Sequence, residues 1–425
     1  MSWIDSVPTG WQVKRLKYLG TARNGLTYAP EDVVDDGILV LRSSNIQNNA
    51  LSFDDNIYVN KRIPHEIVLR ENDLLICSRN GSSDLIGKCA LIDKEMAGNT
   101  YGAFMCVYRS PNNKFVYWVL LSDIFGFYLS SYLTSTINQL TNANLLNIEI
   151  LVPPLTEQRS ITAFLDDRCG YVDGIIADLE RQLEILRQHK KALITETVTK
   201  GLDKSVPMKD SGIVGIGQIP SHYELKKLKH IVATKITDGP HETPDLIDDG
   251  IPFLSAESVK EGILDFNYKR GYISLKDHQA FCRKCKPQLH DIFMVKSGAT
   301  TGRTGMVMTE EEFSVWSPLA LIRCDDIHIK QQFVYYSMLS NYFTLSVELA
   351  WSYGTQQNIG MGVIENLRIV LPPTTEQETI VEFLNVKCAE MDALIAEKQH
   401  SVETMRQYKR SLIYEYVTGK KRVVS

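Results

Sequence analysis

Pro153-Pro154-Leu155-Thr156-Glu157-Gln158 occurs in this 425-residue chain a second time, as Pro372-Pro373-Thr374-Thr375-Glu376-Gln377. Residues 151–200 align on 370–419 without a gap, and twenty-one of the fifty positions are identical. Phe164-Leu165 returns as Phe383-Leu384, Cys169 as Cys388, and Arg187-Gln188-His189-Lys190 as Arg406-Gln407-Tyr408-Lys409. A repeat this long marks a duplicated architecture. Upstream the match is looser. Pro8 to Trp11 followed by Lys14-Arg15-Leu16-Lys17 corresponds to Pro220 to Tyr223 followed by Lys226-Lys227-Leu228-Lys229, and Asp73-Leu74-Leu75-Ile76 to Asp291-Ile292-Phe293-Met294. Between these anchors the copies diverge, and the second is longer. A shared frame with divergent loops is what two readers of different targets would look like.

Each pair of prolines stops an upstream strand and admits a helix only after it. Thr156 and Thr375 stand as expected N-caps, and Thr375 with Glu378 has capping-box spacing. The following stretch is periodic. Leu165, Cys169, Val172, Ile176, Leu179, Leu183, Leu186, Lys190 and Leu193 alternate steps of four and three. Leu384, Cys388, Met391, Ile395, Lys398, Val402, Met405, Lys409 and Leu412 keep the same register. Such spacing with charged flanks is a coiled-coil seam. A helix of ~40 residues reaches about 60 Å, so it needs a partner, and each long helix is the other's obvious one. An antiparallel pair carrying two globular heads at opposite ends of a rod is the expectation. Lys190 and Lys409 share one seam position, where a long stem can bury while its charge stays in water, or can set register.

Ahead of each helix lie short apolar runs between turn signals. Ile38–Leu41, Leu74–Cys77, Cys89–Ile92 and Phe104–Tyr108 predict strands in the first copy. Ile251–Leu254, Ile292–Val295, Met306–Met308 and Leu319–Ile322 do so in the second. Phe115 to Leu133 and Phe333 to Leu349 predict a helix packed on each sheet, and Ile148–Val152 and Leu367–Leu371 a last strand. The fold class is α+β, a tandem duplication of an α/β domain followed by a long helix. Its expected segments are 1–150, 151–205, 206–369 and 370–425.

Composition adds limits. The 44% hydrophobic and 23% charged fractions are those of a globular chain. A net charge of −5 excludes coating of nucleic acid by charge alone, though not a local basic face. No apolar run approaches the ~18–20 residues of a membrane span, and the N-terminus lacks the pattern of a signal peptide, so a cytoplasmic location is expected without membrane contact. The eight cysteines read as reduced thiols.

Catalytic motifs are missing. The Pro-Pro pairs lack the flanking polar and aromatic residues with which an adenine methyltransferase holds a flipped base. Gly81 to Gly87-Lys88-Cys89 has one spacer too many for a phosphate-cradling loop and a cysteine in place of the hydroxyl. His278, Cys282, Cys285 and His290 imitate a zinc site, but the first copy has no counterpart and the segment reads as a short helix ending at Pro287, so core thiols are the reading adopted and no metal is expected.

Polar loops remain. Arg79, Asn80, Ser82 and Ser83 follow a strand in the first copy; Lys296, Ser297, Thr300, Thr301 and Arg303 follow its counterpart in the second. Asn138 and Gln139, and Gln356, Gln357 and Asn358, precede the last strands. Arg, Lys, Asn and Gln read base edges bidentately, while Ser, Thr and glycine backbone suit phosphates. DNA contact is the expected role, with Arg79 and Arg303 as leading candidates.

These features together resemble the specificity subunit of type I restriction-modification systems, over nearly the whole chain. The repeated Pro-Pro-x-Thr-Glu-Gln with Phe-Leu carries the resemblance. So does the run from Lys190 through Thr197-Val198-Thr199-Lys200-Gly201-Leu202-Asp203 to Pro207-Met208-Lys209-Asp210-Ser211-Gly212. The resemblance implies two target-recognition domains, each reading half of a bipartite, asymmetric double-stranded DNA target. It implies that the helices dock two modification subunits, which carry S-adenosylmethionine and methylate adenine at N6. Restriction subunits using ATP and Mg would complete the complex. No cofactor is implied for this chain itself.

Overall fold

The computed structural model describes residues 6–133, 138–260, 262–325, 327–351 and 358–423. The chain divides into two units. One comprises the residues up to Glu180 together with those from Gln399 onward; the other runs from Arg181 to Lys398. Each therefore takes the start of one long helix and the end of the other.

In the first unit Thr21–Asn24, Met105–Arg109, Leu74–Cys77 and Cys89–Leu91 form an antiparallel sheet in that order. A second sheet runs Thr100–Tyr101, Ile38–Leu41, Tyr58–Val59, Val33–Val34. In the second unit Thr237–Asp238, Leu319–Ile322, Ile292–Val295 and Thr304–Met306 repeat the first sheet, extended by Ile263–Leu264 and Val259–Lys260. Gly271–Ile273, Ile251–Leu254 and Ser314–Val315 form its companion. In the first unit the strand before the long helix pairs with the first strand, Gln12 facing Val152. In the second it pairs with Glu224–Lys227, which follows the hairpin of Met208–Asp210 and Gln218–Pro220, Glu224 facing Leu371. This is the duplicated α+β frame.

The repeated motif is explained by its contacts. The Gln158 amide donates to the Pro153 carbonyl at 2.8 Å, and Gln377 to Pro372 at the same distance. These bonds satisfy a carbonyl that the proline pair leaves without a helical partner. The Glu157 carboxylate accepts from the Trp11 indole at 3.0 Å, and Glu376 accepts from the Tyr223 hydroxyl. An aromatic at the head of each unit is thereby tied to the base of its helix.

The helices, Leu155–Lys200 and Thr374–Val417, start two residues sooner than the threonine caps predict. Pro154 and Pro373 hold the capping position instead, their carbonyls accepting from Gln158 N at 2.9 Å and Gln377 N at 3.0 Å. Thr156 and Thr375 lie inside the first turn because the Pro154 and Pro373 carbonyls already accept the first helical bonds. All fifteen apolar or thiol seam residues named above are buried or half-buried. In the first unit Ile161, Leu165 and Cys169 share a core with Leu412, Ile413 and Val417. In the second, Ile380, Leu384 and Cys388 share one with Ile194 and Val198. Asp173 pairs with Lys409 and Glu180 with Arg406, so within the first unit the two helix segments run in opposite directions.

Two further differences from the sequence expectation have local causes. The single helix expected over 115–133 is two, Asn113–Leu120 and Asp123–Tyr132, and its counterpart is Gln331–Leu339 and Asn341–Leu349. Both breaks fall at a serine whose hydroxyl turns back on the preceding turn: Ser122 Oγ donates to Val119 O, and Ser340 Oγ to Ser337 O at 2.5 Å. The strand expected at Met306–Met308 is Thr304–Met306, because Gly305 lets its backbone approach Ile263 at a distance no Cβ permits. No single helix among the described residues is long and apolar enough to cross a membrane. The bent pair at Asn113–Tyr132 that is apolar enough buries Phe115, Val116, Val119, Ile124 and Phe125 in its own unit.

Candidate nucleic-acid interface

In the first unit residues 78–88 connect two antiparallel strands. Gly87, at φ 90°, turns the chain back so that its N–H reaches Cys77 O at 2.9 Å and Lys88 O accepts from Cys77 N at 2.8 Å. A Cβ at Gly87 would strike Leu129. Residues 79–85 therefore project from a closed hairpin. The two segments singled out separately in the sequence lie side by side: Arg79 and Gln139 form an antiparallel bridge, and Leu140 N donates to Ser78 O at 2.8 Å.

The side chains divide by role. Arg79 is exposed, its guanidinium 5.2 Å from the centroid of the Phe104 ring. Asn80 is half-buried and committed, donating to Ser43 Oγ at 3.1 Å and accepting from Ser82 N at 3.1 Å. It shapes the loop as an Asx turn. Ser82 and Ser83 are exposed at the tip, and Asn138 and Gln139 are half-buried beside it. A cleft of about 550 Å³ opens next to the pair, lined by Tyr28, Arg42, Ser43, Ser44 and Phe104 among others.

The second unit repeats the backbone and changes the chemistry. Ser297 bridges Asn358, and Ile359 N donates to Lys296 O at 2.8 Å. Gly302, at φ 87°, reaches Val295 O at 2.7 Å, and Val295 N reaches Arg303 O at 2.8 Å. Ser297 is thus the counterpart of Arg79, and Arg303 the counterpart of Lys88. The two leading candidates, Arg79 and Arg303, sit at opposite ends of equivalent loops. Arg303 is exposed and lines a separate cleft with Lys191, Lys260 and Thr344. Thr300 is half-buried, and buried Thr301 donates to Gly298 O at 2.7 Å, shaping the turn. Lys296 is held by Asp238 at 2.6 Å, which also binds Lys284. Burial pushes the Asp238 carboxyl up, but hydrogen bonds from the two lysines outweigh it and hold the group below its usual range. Lys296 is a neutralised strut of the loop's base. Gln356 and Gln357 lie outside the described residues.

Sequence reasoning missed Phe104, Ser43 and Asp238, which stand 25 or more residues from the side chains they touch, Arg79, Asn80 and Lys296. The glycines at Gly25 and Gly239 carry a trace of that geometry. A Cβ at either would collide with the backbone of the neighbouring strand, at Tyr101 or at Val315 and Trp316.

The His278 segment is helical over Leu275–Cys282, shorter than the sequence suggests. His278 Nδ1 lies 2.9 Å from Ser314 Oγ, Cys282 Sγ lies 3.5 Å from His278 Nε2, and Cys285 is buried. Among the described residues no group of three or more His, Cys, Asp or Glu is placed to hold a metal ion.

A tandem α+β module with a long helix after each copy, and one polar loop pair per copy in different chemistry, defines a duplicated recognition protein. The chain belongs to the type I restriction modification DNA specificity domain family, whose model matches residues 8–184 and again 220–404. It is 24% identical over 429 residues to the EcoKI specificity subunit of Escherichia coli K12, covering 97% of this chain and 89% of that one. To the MjaVIII specificity subunit of Methanocaldococcus jannaschii it is 24% identical over 380 residues, 84% of this chain and 81% of that one. A solved structure described as the structural basis of complex assembly and conformational transition of the type I R-M system superposes with a TM-score of 0.69 at 17% identity. It covers 98% of this chain and all of that one, a likeness of fold.

Proposed function

We propose that this chain is the non-catalytic sequence-specificity subunit of a type I restriction-modification complex. Each unit reads one half of a bipartite, asymmetric double-stranded DNA target. The long helices pair along their seams as an antiparallel coiled coil and dock two modification subunits, which supply adenine methylation. The observation that carries this reading is the loop pair. Arg79 against Gln139 and Ser297 against Asn358 stand at matching places on a repeated backbone with unlike side chains. A frame held constant while the presented donors change is what two half-site readers require, because base edges are distinguished by donor and acceptor pattern.

Reconstitution with modification subunits and S-adenosylmethionine, followed by mapping of methylated adenines, tests it. The expected result is one split sequence, methylated in both halves, with binding that weakens as salt rises. A complex that assembles yet shows no sequence preference would make the chain a coiled-coil scaffold.

A further inference from the structure

We infer that Phe104 is a positioning residue for Arg79, holding its guanidinium edge-on for a guanine in the major groove; this rests on the DNA-reading role proposed above. Phe104 is 59% exposed, although its backbone carbonyl is held by three hydrogen bonds. Its carbonyl accepts from Ser78 N and Arg79 N, each at 3.0 Å, and from Ser78 Oγ at 2.9 Å. The same three bonds fix where Arg79 begins. The antiparallel bridge to Gln139 fixes its other side. With both backbones locked, the ring and the guanidinium meet at 5.2 Å. Arg79 makes no ion pair with another of the described residues, so its five N–H donors are left for a ligand.

An exposed phenylalanine gains nothing by itself from facing water. Under an arginine it restricts a long side chain that would otherwise lose much of its rotamer freedom on binding. A guanidinium held against a ring by its charge spends none of its N–H donors there, and those donors match the O6 and N7 acceptors of guanine. The second unit offers the contrast. The residue at the Arg79 place is Ser297, and Pro318, whose carbonyl accepts from Lys296 N at 2.8 Å, takes the place of Phe104. Arginine and ring are present together in one unit and absent together in the other.

The test uses the assembled complex with modification subunits, S-adenosylmethionine and a DNA library randomised through the target. Arg79→Ala relaxes discrimination at one G·C pair of the first half-site by roughly ten- to a hundredfold. Phe104→Ala relaxes the same pair, about two- to fivefold, the range of an exposed cation–ring contact. Phe104→Trp restores it. In the Arg79→Ala background, Phe104→Ala adds nothing at that pair. The half-site of the second unit stays as in the wild type throughout, which reports that each variant folds and assembles. Relaxation by Phe104→Ala at a different pair, or a uniform loss over all sequences, overturns the inference. So does an Arg79→Ala profile that is unchanged or that falls alike for every sequence. A wild-type complex with no split target would instead overturn the underlying reading of the chain.

Discussion

Lys190 Nζ lies 2.6 Å from Asp392 Oδ1, and Lys409 Nζ lies 2.6 Å from Asp173 Oδ1. The two pairs are images of each other under the 219-residue repeat, so one interaction is written twice, once in each unit. Both lysines are about three-quarters buried, with side-chain exposures of 23% and 22%, and both carboxylates are about half exposed. The lysine position that repeats along the seam is therefore the donor of a specific cross-helix pair. A charge placed among Leu, Ile and Cys at one seam position penalises any register that leaves it without its aspartate.

A double-mutant cycle on Lys190 and Asp392, read by chemical denaturation, should give a coupling of about 0.5–1 kcal/mol, since the carboxylate is half in water. The exchanged pair Lys190→Asp with Asp392→Lys should recover most of the stability that either single change removes. Additive single effects would make the contact incidental.

Two glycines of the first long helix, one at its end and one inside it, have opposite consequences. Gly201 ends the first long helix at φ 68°, and a Cβ there would press on the Tyr223 hydroxyl that bonds Glu376. Gly201→Ala should lower stability by about 1–2 kcal/mol. Gly170, exposed within the same helix with nothing near its Cβ position, should gain roughly 0.5–1 kcal/mol as alanine. Thermal melts of the two variants, moving apart from the wild type, check both signs.

Burial pushes the thiols of Cys89, Cys106, Cys169 and Cys285 up to about 12. The folded protein keeps them neutral while an unfolded thiol ionises near its ordinary value of 9.0. A raised folded-state value contributes stability below that point and loses it as pH climbs toward 12. Stability should therefore fall between pH 9 and 12, by up to about 1.4 kcal/mol per pH unit for a fully buried thiol such as Cys89. Alkylation at pH 8 followed by peptide mass spectrometry should mark half-exposed Cys282 first. Early labelling of Cys89 would contradict its burial.

Much of the frame was legible because its signals are local. Ile38–Leu41, Leu74–Cys77, Ile251–Leu254, Ile292–Val295 and Leu319–Ile322 are strands within their apolar bounds. Pro-Pro-x-Thr-Glu-Gln marks helix starts because Gln158 and Gln377 act on carbonyls five residues away. The breaks at Ser122 and Ser340 were not legible, since apolar periodicity runs across them and a serine hydroxyl decides. The loops were found, but their alignment was not. Arg79 and Arg303 share a charge but not a place, since the chain reverses at Gly87 and Gly302 and Arg303 stands where Lys88 does. Lys296 reads as a free cation until Asp238, 58 residues earlier in sequence, is seen beside it.

The central claim, that the two units read separate half-sites, is tested most directly by exchange. Residues 1–150 are replaced by the equivalent unit of a relative with a different target, and the methylated adenines of the reconstituted complex are mapped. The account predicts a new first half-site joined to an unchanged second one. A change in both halves, or in neither, would contradict it.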